Sequence, residues 1–406
     1  MMLPVLLGIS ALSVDVGLWY KSRRDYQTAV DSAAIGAAWQ RLKGKGDSIT
    51  ETARADAARN GLTVGGSVVM TVNNPPAAGA YAGRGDAVEV IVTLPQNALL
   101  SSVLLSGDAT HSARAVAVVD VQGSACVFAL DTMAPSAVKI WGSTQVEAIG
   151  CVIGANSNAS SSIDIGGSSS LKADSLWTVG GVNMGSSASV SLARPPTTDA
   201  WALVDPYEGL IIPPLAGCAA NNKSVNGVEP LDPGVYCNGL SFGAQADATL
   251  KPGVYYIDKG DFTVHGGAKI RCDCPNPTDG VTIVLTSSGS ASDIGTATIN
   301  GGADVVLKAP TGADAVFKGL LFFQDPRAPT DGVNKLNGGS AMMLTGAVYF
   351  PKQQIQFNGD NNSSANTCTQ IIGRTVEFTG NSKIYNNGCA EAGIEPIAVK
   401  GIRLVE

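Results

Sequence analysis

Pro233-Gly234-Val235-Tyr236 recurs nineteen residues later as Pro252-Gly253-Val254-Tyr255. The residues behind it align loosely as well: Leu240-Ser241-Phe242 with an Ala-Thr-Leu segment, and Phe262-Thr263-Val264 with Ala268-Lys269-Ile270. A strand–turn–strand period near 20 residues is what one winding of a β-solenoid requires. One such unit cannot bury its apolar face alone and must stack on its neighbours. Other short apolar runs follow the same plan, at 162–165, 281–285, 304–307, 319–323, 342–350 and 374–378, with Gly, Asn and Asp turns between them. Glycine supplies 48 of the 406 residues, and Asn-Gly and Gly-Gly pairs suit tight corners that need φ > 0. An immunoglobulin-like sandwich or several small β-domains is the competing architecture. The density of Gly, Ser and Asn and the shortness of the runs favour a large all-β domain, a right-handed parallel β-helix, over 121–406.

The first 120 residues are of another kind. Residues 1–20 are almost wholly apolar, and Asp15 is their only charge. About 20 such residues can cross a bilayer as a helix, so a transmembrane segment is expected over 1–22. Asp15 is costly inside that run; it either lies near the interface or pairs with another helix in an assembly. Helical spacing continues through Tyr26, Ala29, Val30, Ala33, Ala34, Ala37 and Ala38. A second helix is predicted over 47–60, with Asp47 or Ser48 as N-cap, Glu51 completing a capping box with Ser48, and Gly61 as the stop. Extended runs follow at 65–73, 87–94 and 110–120, with a short helix over 97–106. Residues 23–120 therefore read as a small α+β body on an antiparallel sheet.

These residues carry a resemblance. Leu3-Pro4-Val5-Leu6-Leu7-Gly8, Val14-Asp15-Val16-Gly17-Leu18-Trp19-Tyr20 and Ala29-Val30-Asp31-Ser32-Ala33-Ala34 stand in order. Asn73-Asn74-Pro75-Pro76, Val88-Glu89-Val90-Ile91-Val92 and Ala113-Arg114-Ala115-Val116-Ala117 follow them. Together they resemble the N-terminal domain of Tad (Flp) pilus-assembly proteins of the TadE/TadG type, over about residues 1–120. The stretch Thr345-Gly346-Ala347-Val348-Tyr349-Phe350 with 375–380 resembles the tail of longer TadG-like proteins. The family usually has a basic, small-residue segment before the apolar run, and this sequence departs from that pattern. The resemblance implies a pseudopilin-like N-terminal unit anchored by a single pass in a bacterial inner membrane. The β-domain would then be periplasmic or extracellular, a structural or adhesive contact surface. Its partners would be the membrane and Tad components or pilus subunits, with a surface glycan or host protein as a further one.

Charge excludes one class of function. Only 15% of the chain is charged, the net charge is −7 and the pI is about 5.0, whereas nucleic-acid binding needs a basic stripe. The cysteines bear on compartment. Cys126, Cys151, Cys218, Cys237, Cys272, Cys274, Cys368 and Cys389 form an even set. Sequence leaves 105 pairings open, and the local ones, 126–151, 218–237, 272–274 and 368–389, are the economical choice. Zinc needs two close-spaced pairs, and one CxC has nothing to complete it. Disulfides imply export. Lys21, Arg23 and Arg24 directly after the apolar run would instead hold the C-terminal side in the cytoplasm. The cysteines outweigh them, and a basic segment ahead of Met1 would reconcile the two.

No catalytic constellation stands out, and no cofactor or metal motif. Asp258, Lys259, Asp261 and His265 are the best local cluster for the paired-carboxylate chemistry of a β-helix lyase or hydrolase; a solvated corner explains them as well. Asp205-Pro206-Tyr207-Glu208 reads as an Asp-Pro turn. Asn358-Gly359-Asp360-Asn361-Asn362 reads as an Asn-rich turn without calcium-loop spacing, and Arg84-Gly85-Asp86 as a turn before a strand. Trp141, Trp177 and Trp201 either fill the core or, if exposed, stack on sugar rings. A non-enzymatic role is favoured. The alternative is a membrane-tethered carbohydrate-active enzyme or a glycan-binding adhesin.

Overall fold

The computed structural model describes residues 2–96, 109–338, 342–358, 368–386, 388–390 and 392–406, apart from the side chains of 2–12, 96 and 109. The chain divides into two compact units, Met1–Gln122 with Lys400–Glu406, and Gly123–Val399. The last seven residues thus belong with the N-terminal unit rather than with the β-domain expected over 121–406.

The larger unit is built of parallel strands, arranged as ladders. One register column runs Tyr255, Ile283, Phe322, Val348, Ile371, Val127, Ile153, Leu176. A second runs Phe242, Val264, Ile299, Leu336, Phe357, Phe378, Ile140, Ile165, Met184. A third ladder carries Ala248, Ile270 and Val305 in one stretch and Ile384, Ala148, Ala173 and Leu192 in another. Residues of one column meet at the spacing of paired strands, so each chain segment covers the apolar face of the one before it. Apart from Met184, which is exposed, and Leu192, which is half-buried, both on the last tier, these columns form one continuous buried cluster, and each fully enclosed Val, Leu, Ile or Phe contributes roughly 1.5–3 kcal/mol.

The order of the tiers is not the order of the sequence. Residues 125–192 make successive tiers in one direction. The chain then crosses the outside through 193–217 and builds a second run from Ala220–Val225 to Ser382–Tyr385. That run ends on the first tier, where Ile371 meets Val127, Phe378 meets Ile140 and Ile384 meets Ala148.

The Pro-Gly-Val-Tyr repeat marks a local device rather than the register. Gly234 pairs with Tyr255, 21 residues on, not with Gly253. Each repeat's tyrosine reaches four residues back: Tyr236 Oη donates to the Asp232 carbonyl at 2.7 Å and Tyr255 Oη to that of Lys251 at 2.9 Å. The two rings stack at 5.9 Å. Gly253 leaves room for Pro233, whose Cβ lies 2.6 Å from where a side chain would start. The structure joins Cys126 to Cys151, Cys218 to Cys237, Cys272 to Cys274 and Cys368 to Cys389. The first links neighbouring tiers inside the core, and the second fastens the start of the second run to its next tier.

In the N-terminal unit, α1 (Met2–Leu42) is one continuous helix, and Ala29, Val30, Ala33, Ala34, Ala37 and Ala38 are buried along it. Among the described residues no helix is long and apolar enough to cross a membrane. Residues 1–12 of the expected span 1–22 lie outside the described side chains. Asp15 is 1% exposed. The second helix, α2 (Ile49–Arg59), buries Ile49, Ala53 and Ala57 at i, i+4 and i+8. The expected capping box is absent: Ser48 Oγ donates to the Lys45 carbonyl and to Gln40 Oε1, because a 3-10 turn over Gly46–Ser48 leads into the helix. Strands Val69–Asn73, Ala87–Gln96 and Ala109–Ala129 pair antiparallel in series, the last far longer than the expected 110–120. The helix expected over 97–106 lies outside the described residues.

Three segments of the resembling motifs converge in this unit. Glu89 is fully buried. Its carboxylate accepts from Asn73 Nδ2 at 2.7 Å, the Ala77 amide at 3.0 Å and Arg114 Nε at 2.7 Å. Arg114 also pairs with Glu406, whose Oε1 accepts from the Ala80 amide at 3.0 Å. Burial pushes the Glu89 carboxyl up, but these donors outweigh it and hold the group below its ordinary value. Such a group stabilises the fold above the ordinary carboxylate range, and that contribution is lost as pH falls through the lowered value. Arg114→Gln leaves the buried charge without its cation. The expected loss is roughly 3 kcal/mol at neutral pH, shrinking in acid as Glu89 takes a proton, as read by urea titrations at pH 7 and about pH 4.

Candidate functional site

The outer face of the first ladder carries a second apolar layer. Phe128, Val152, Trp177, Val284, Phe323, Tyr349 and Ile372 point outward there, under Leu203, Tyr207, Leu210 and Ile212 of the crossing segment. Beyond the main-chain bonds at Thr197 and Ala200 and the bond from the Ser175 hydroxyl to the Pro195 carbonyl, three ladder side chains pin that segment further along. Trp177 Nε1 donates to the Trp201 carbonyl at 2.9 Å. Asn156 Nδ2 donates to the Leu203 carbonyl at 2.9 Å, while its Oδ1 accepts the Leu203 amide at 2.7 Å. Tyr349 Oη donates to Asp205 Oδ2 at 2.8 Å. Prolines at 195, 196, 206, 213 and 214 interrupt 193–217, so it bridges the ladder at Thr197, opposite Trp177, and then lies along the face with a turn at 206–209.

Beside Asp205 is a pocket of about 250 Å³, lined by Pro206, Tyr207, Leu210, Val316, Lys318, Gly319, Gly393 and Glu395. Tyr207 packs edge-on against Tyr349, ring centres 5.3 Å apart, and Tyr349 stacks on Phe323 at 5.4 Å. Asp205 Oδ1 also accepts the Tyr207 amide at 3.0 Å. Burial pushes the Asp205 carboxyl up, helped by the charge of Glu208 and opposed by its two donors. Burial likewise pushes the Tyr207 phenol up, aided by Glu395 and Asp205, so it remains a hydrogen-bond donor. The volume falls short of the roughly 300–1,000 Å³ of ordinary small-molecule sites. It has room for one ring or one side chain, with an aromatic wall and a Lys–Glu rim.

The residues singled out in the sequence are distributed differently. Asp258 is buried; its Oδ1 accepts the Ser288 amide at 2.7 Å and its Oδ2 the Ser288 hydroxyl at 2.9 Å. Asp261 Oδ1 accepts the amide and hydroxyl of Thr296 at 2.7 and 3.1 Å. Each carboxylate therefore clips its own tier to the next. Lys259 sits at φ 60° in the corner between them, and the His265 amide donates to the Phe242 carbonyl. Arg84 and Asp86 form an exposed ion pair at 2.6 Å. Of the Asn-rich turn, Asn358 alone is described.

Of the three tryptophans, Trp177 fills the core, whereas Trp141 and Trp201 are 46% and 44% exposed. The Trp141 ring lies over Gly166, where a Cβ would meet it at 2.6 Å. Among the described residues no cluster of His, Cys, Asp and Glu could hold a metal ion. Tyr207 was legible only as part of a turn, and nothing in the sequence marks Lys318 or Glu395, because three distant segments bring them together.

Residues 1–40 match the family model described as putative Flp pilus-assembly TadE/G-like. No curated protein and no solved structure matches the chain.

Because Asp205 has a raised value in the folded state, its ionised form lowers stability above that value, and the loss is relieved as pH falls. Tyr349→Phe removes a donor to the ionised form. The expected cost is about 1–3 kcal/mol at pH 7, less near pH 4, whereas Asp205→Asn keeps an acceptor for Tyr349 and flattens the difference. Thermal unfolding of both variants across pH checks this.

Proposed function

We propose that the protein is a TadG-like component of Tad (Flp) pilus assembly. Its N-terminal helix anchors it as a single pass in a bacterial inner membrane, and residues 123–399 stand in the periplasm or outside the cell as a structural or adhesive contact surface. The match of residues 1–40 to the TadE/G-like model carries the reading, and that segment takes in nearly all of α1. We read the ladders as a right-handed β-helix acting as a spacer. Disulfides on all eight cysteines support an oxidising compartment. The partners are then the membrane and Tad components or pilus subunits.

The role proposed is non-enzymatic, since Asp258 and Asp261 hold backbone. The pocket beside Tyr207 favours a second reading, an adhesin touching a surface glycan or host protein. Its size suits a single sugar ring against an aromatic wall. Tyr207→Ala would then abolish binding on a glycan array, and release of a product would replace both readings by a carbohydrate-active enzyme.

Fractionated cells and spheroplasts treated with protease and a membrane-impermeant maleimide test the main reading. The expected protein is membrane-bound, protease-accessible and free of reactive thiols until reduced. A soluble, cytosolic protein with eight reactive thiols would overturn it.

A further inference from the structure

We infer that the last tier before the chain turns back, over 182–193, is a self-association surface through which two copies of this protein dock as a closed dimer. Its strands Val182–Met184 and Ser189–Leu192 pair on one side only, with Ile163–Ile165 and Ser170–Thr178. Among the described residues no strand lies on the other side. That side presents a row of backbone donors and acceptors, a ready template for another strand.

The apolar interior is open at the same place. Val182, Val190 and Leu192 are half-buried and pack on the core. Their register partners one tier inward, Ile163, Leu171 and Ala173, are buried. One more layer would enclose them as the inner tiers are enclosed.

The edge at this end is unguarded as far as Ala193: residues 179–193 contain no charged side chain and no proline, the usual protection of a free edge, and Arg194, Pro195 and Pro196 begin only where the chain leaves it. The opposite end of the ladders is guarded. Pro230 stands in the strand Val228–Leu231, Lys223 and Glu229 pair across it at 2.5 Å, and Val225 and Leu231 are already buried. A head-to-tail contact would set an open edge against a protected one. The surface that fits the open end is another open end, uncharged and of the same outline. A two-fold axis then pairs the strands antiparallel and closes the assembly, leaving no filament.

The molecule already makes a comparable joint, with parallel strands. Its two runs of tiers, separated in sequence, meet edge to edge where Phe378 pairs with Ile140 and Ile384 with Ala148. Stacking there needs matching edges and apolar interiors, and no local chain connection.

Sedimentation velocity of the full chain, in detergent where its solubility requires, tests the proposal from roughly 10 nM to 100 µM, since standard-size interfaces associate at micromolar concentrations and below. A monomer–dimer equilibrium is expected. Ser189→Lys with Ser191→Lys adds like charges at exposed edge positions and should weaken dimerisation at least about tenfold, with unchanged thermal unfolding showing that the fold is kept. Asn226→Lys at the guarded end should leave the dimer intact. A monomer throughout, a dimer indifferent to the two lysines, or a ladder of larger species reduced by Asn226→Lys would each overturn the proposal.

Discussion

The larger unit depends on one contact: the pairing of Thr369–Phe378 with the strands around Val127 and Ile140. Parallel tiers stabilise each other only as neighbours. Without this joint the chain would hold two shorter stacks, each with a further open edge, and would expose Val127, Ile140, Ile371 and Phe378, all buried here. The crossing segment is a consequence of the same joint. It must carry the chain from one end of the ladders to the other, and it does so over an outward apolar layer that would otherwise face water. Trp177, Asn156 and Tyr349 hold it there through hydrogen bonds that the ladder itself does not need.

Carboxylates that look like chemistry in the sequence serve as backbone acceptors. At a corner a strand leaves its ladder and its amides lose their partners, so buried amides there need another acceptor. Asp258 supplies one to Ser288, Asp261 to Thr296 and Asp131 to Met133 and Ala134. Glu89 does the same for Ala77 in the smaller unit while also holding a cation. A chain with only 15% charged residues thus places several of its acids where they replace missing main-chain partners.

The elements most legible in the sequence are those whose cause is local. The alanine spacing of 29–38 marks the buried face of α1, and Ile49, Ala53 and Ala57 mark that of α2. The dense Gly, Ser and Asn turns between short apolar runs pointed to a large parallel β unit, and the closest cysteine partners are the ones joined. Where the cause is distant the sequence was mute. No pattern near Val127 hints at Ile371. The 19-residue repeat suggested a register, yet it records the reach of a tyrosine to a carbonyl four residues back, while the strands pair at 21. The capping box failed for a related reason: Ser48 fits the motif, but the preceding 3-10 turn takes its hydroxyl. The pocket beside Tyr207 was invisible because its walls come from three separate segments.

The tier order also sets a clock for the nascent chain. The strand around Val127 is made early, yet the partner for its second edge, Ile371, lies far downstream. At a synthesis rate of ~5–20 residues per second, roughly 240 intervening residues take about 10–50 s. Through that interval a hydrophobic, hydrogen-bonding edge waits uncovered, long compared with the microseconds in which a hairpin closes. A chaperone that binds extended apolar segments would find its target there, and it would be released when the last tier arrives.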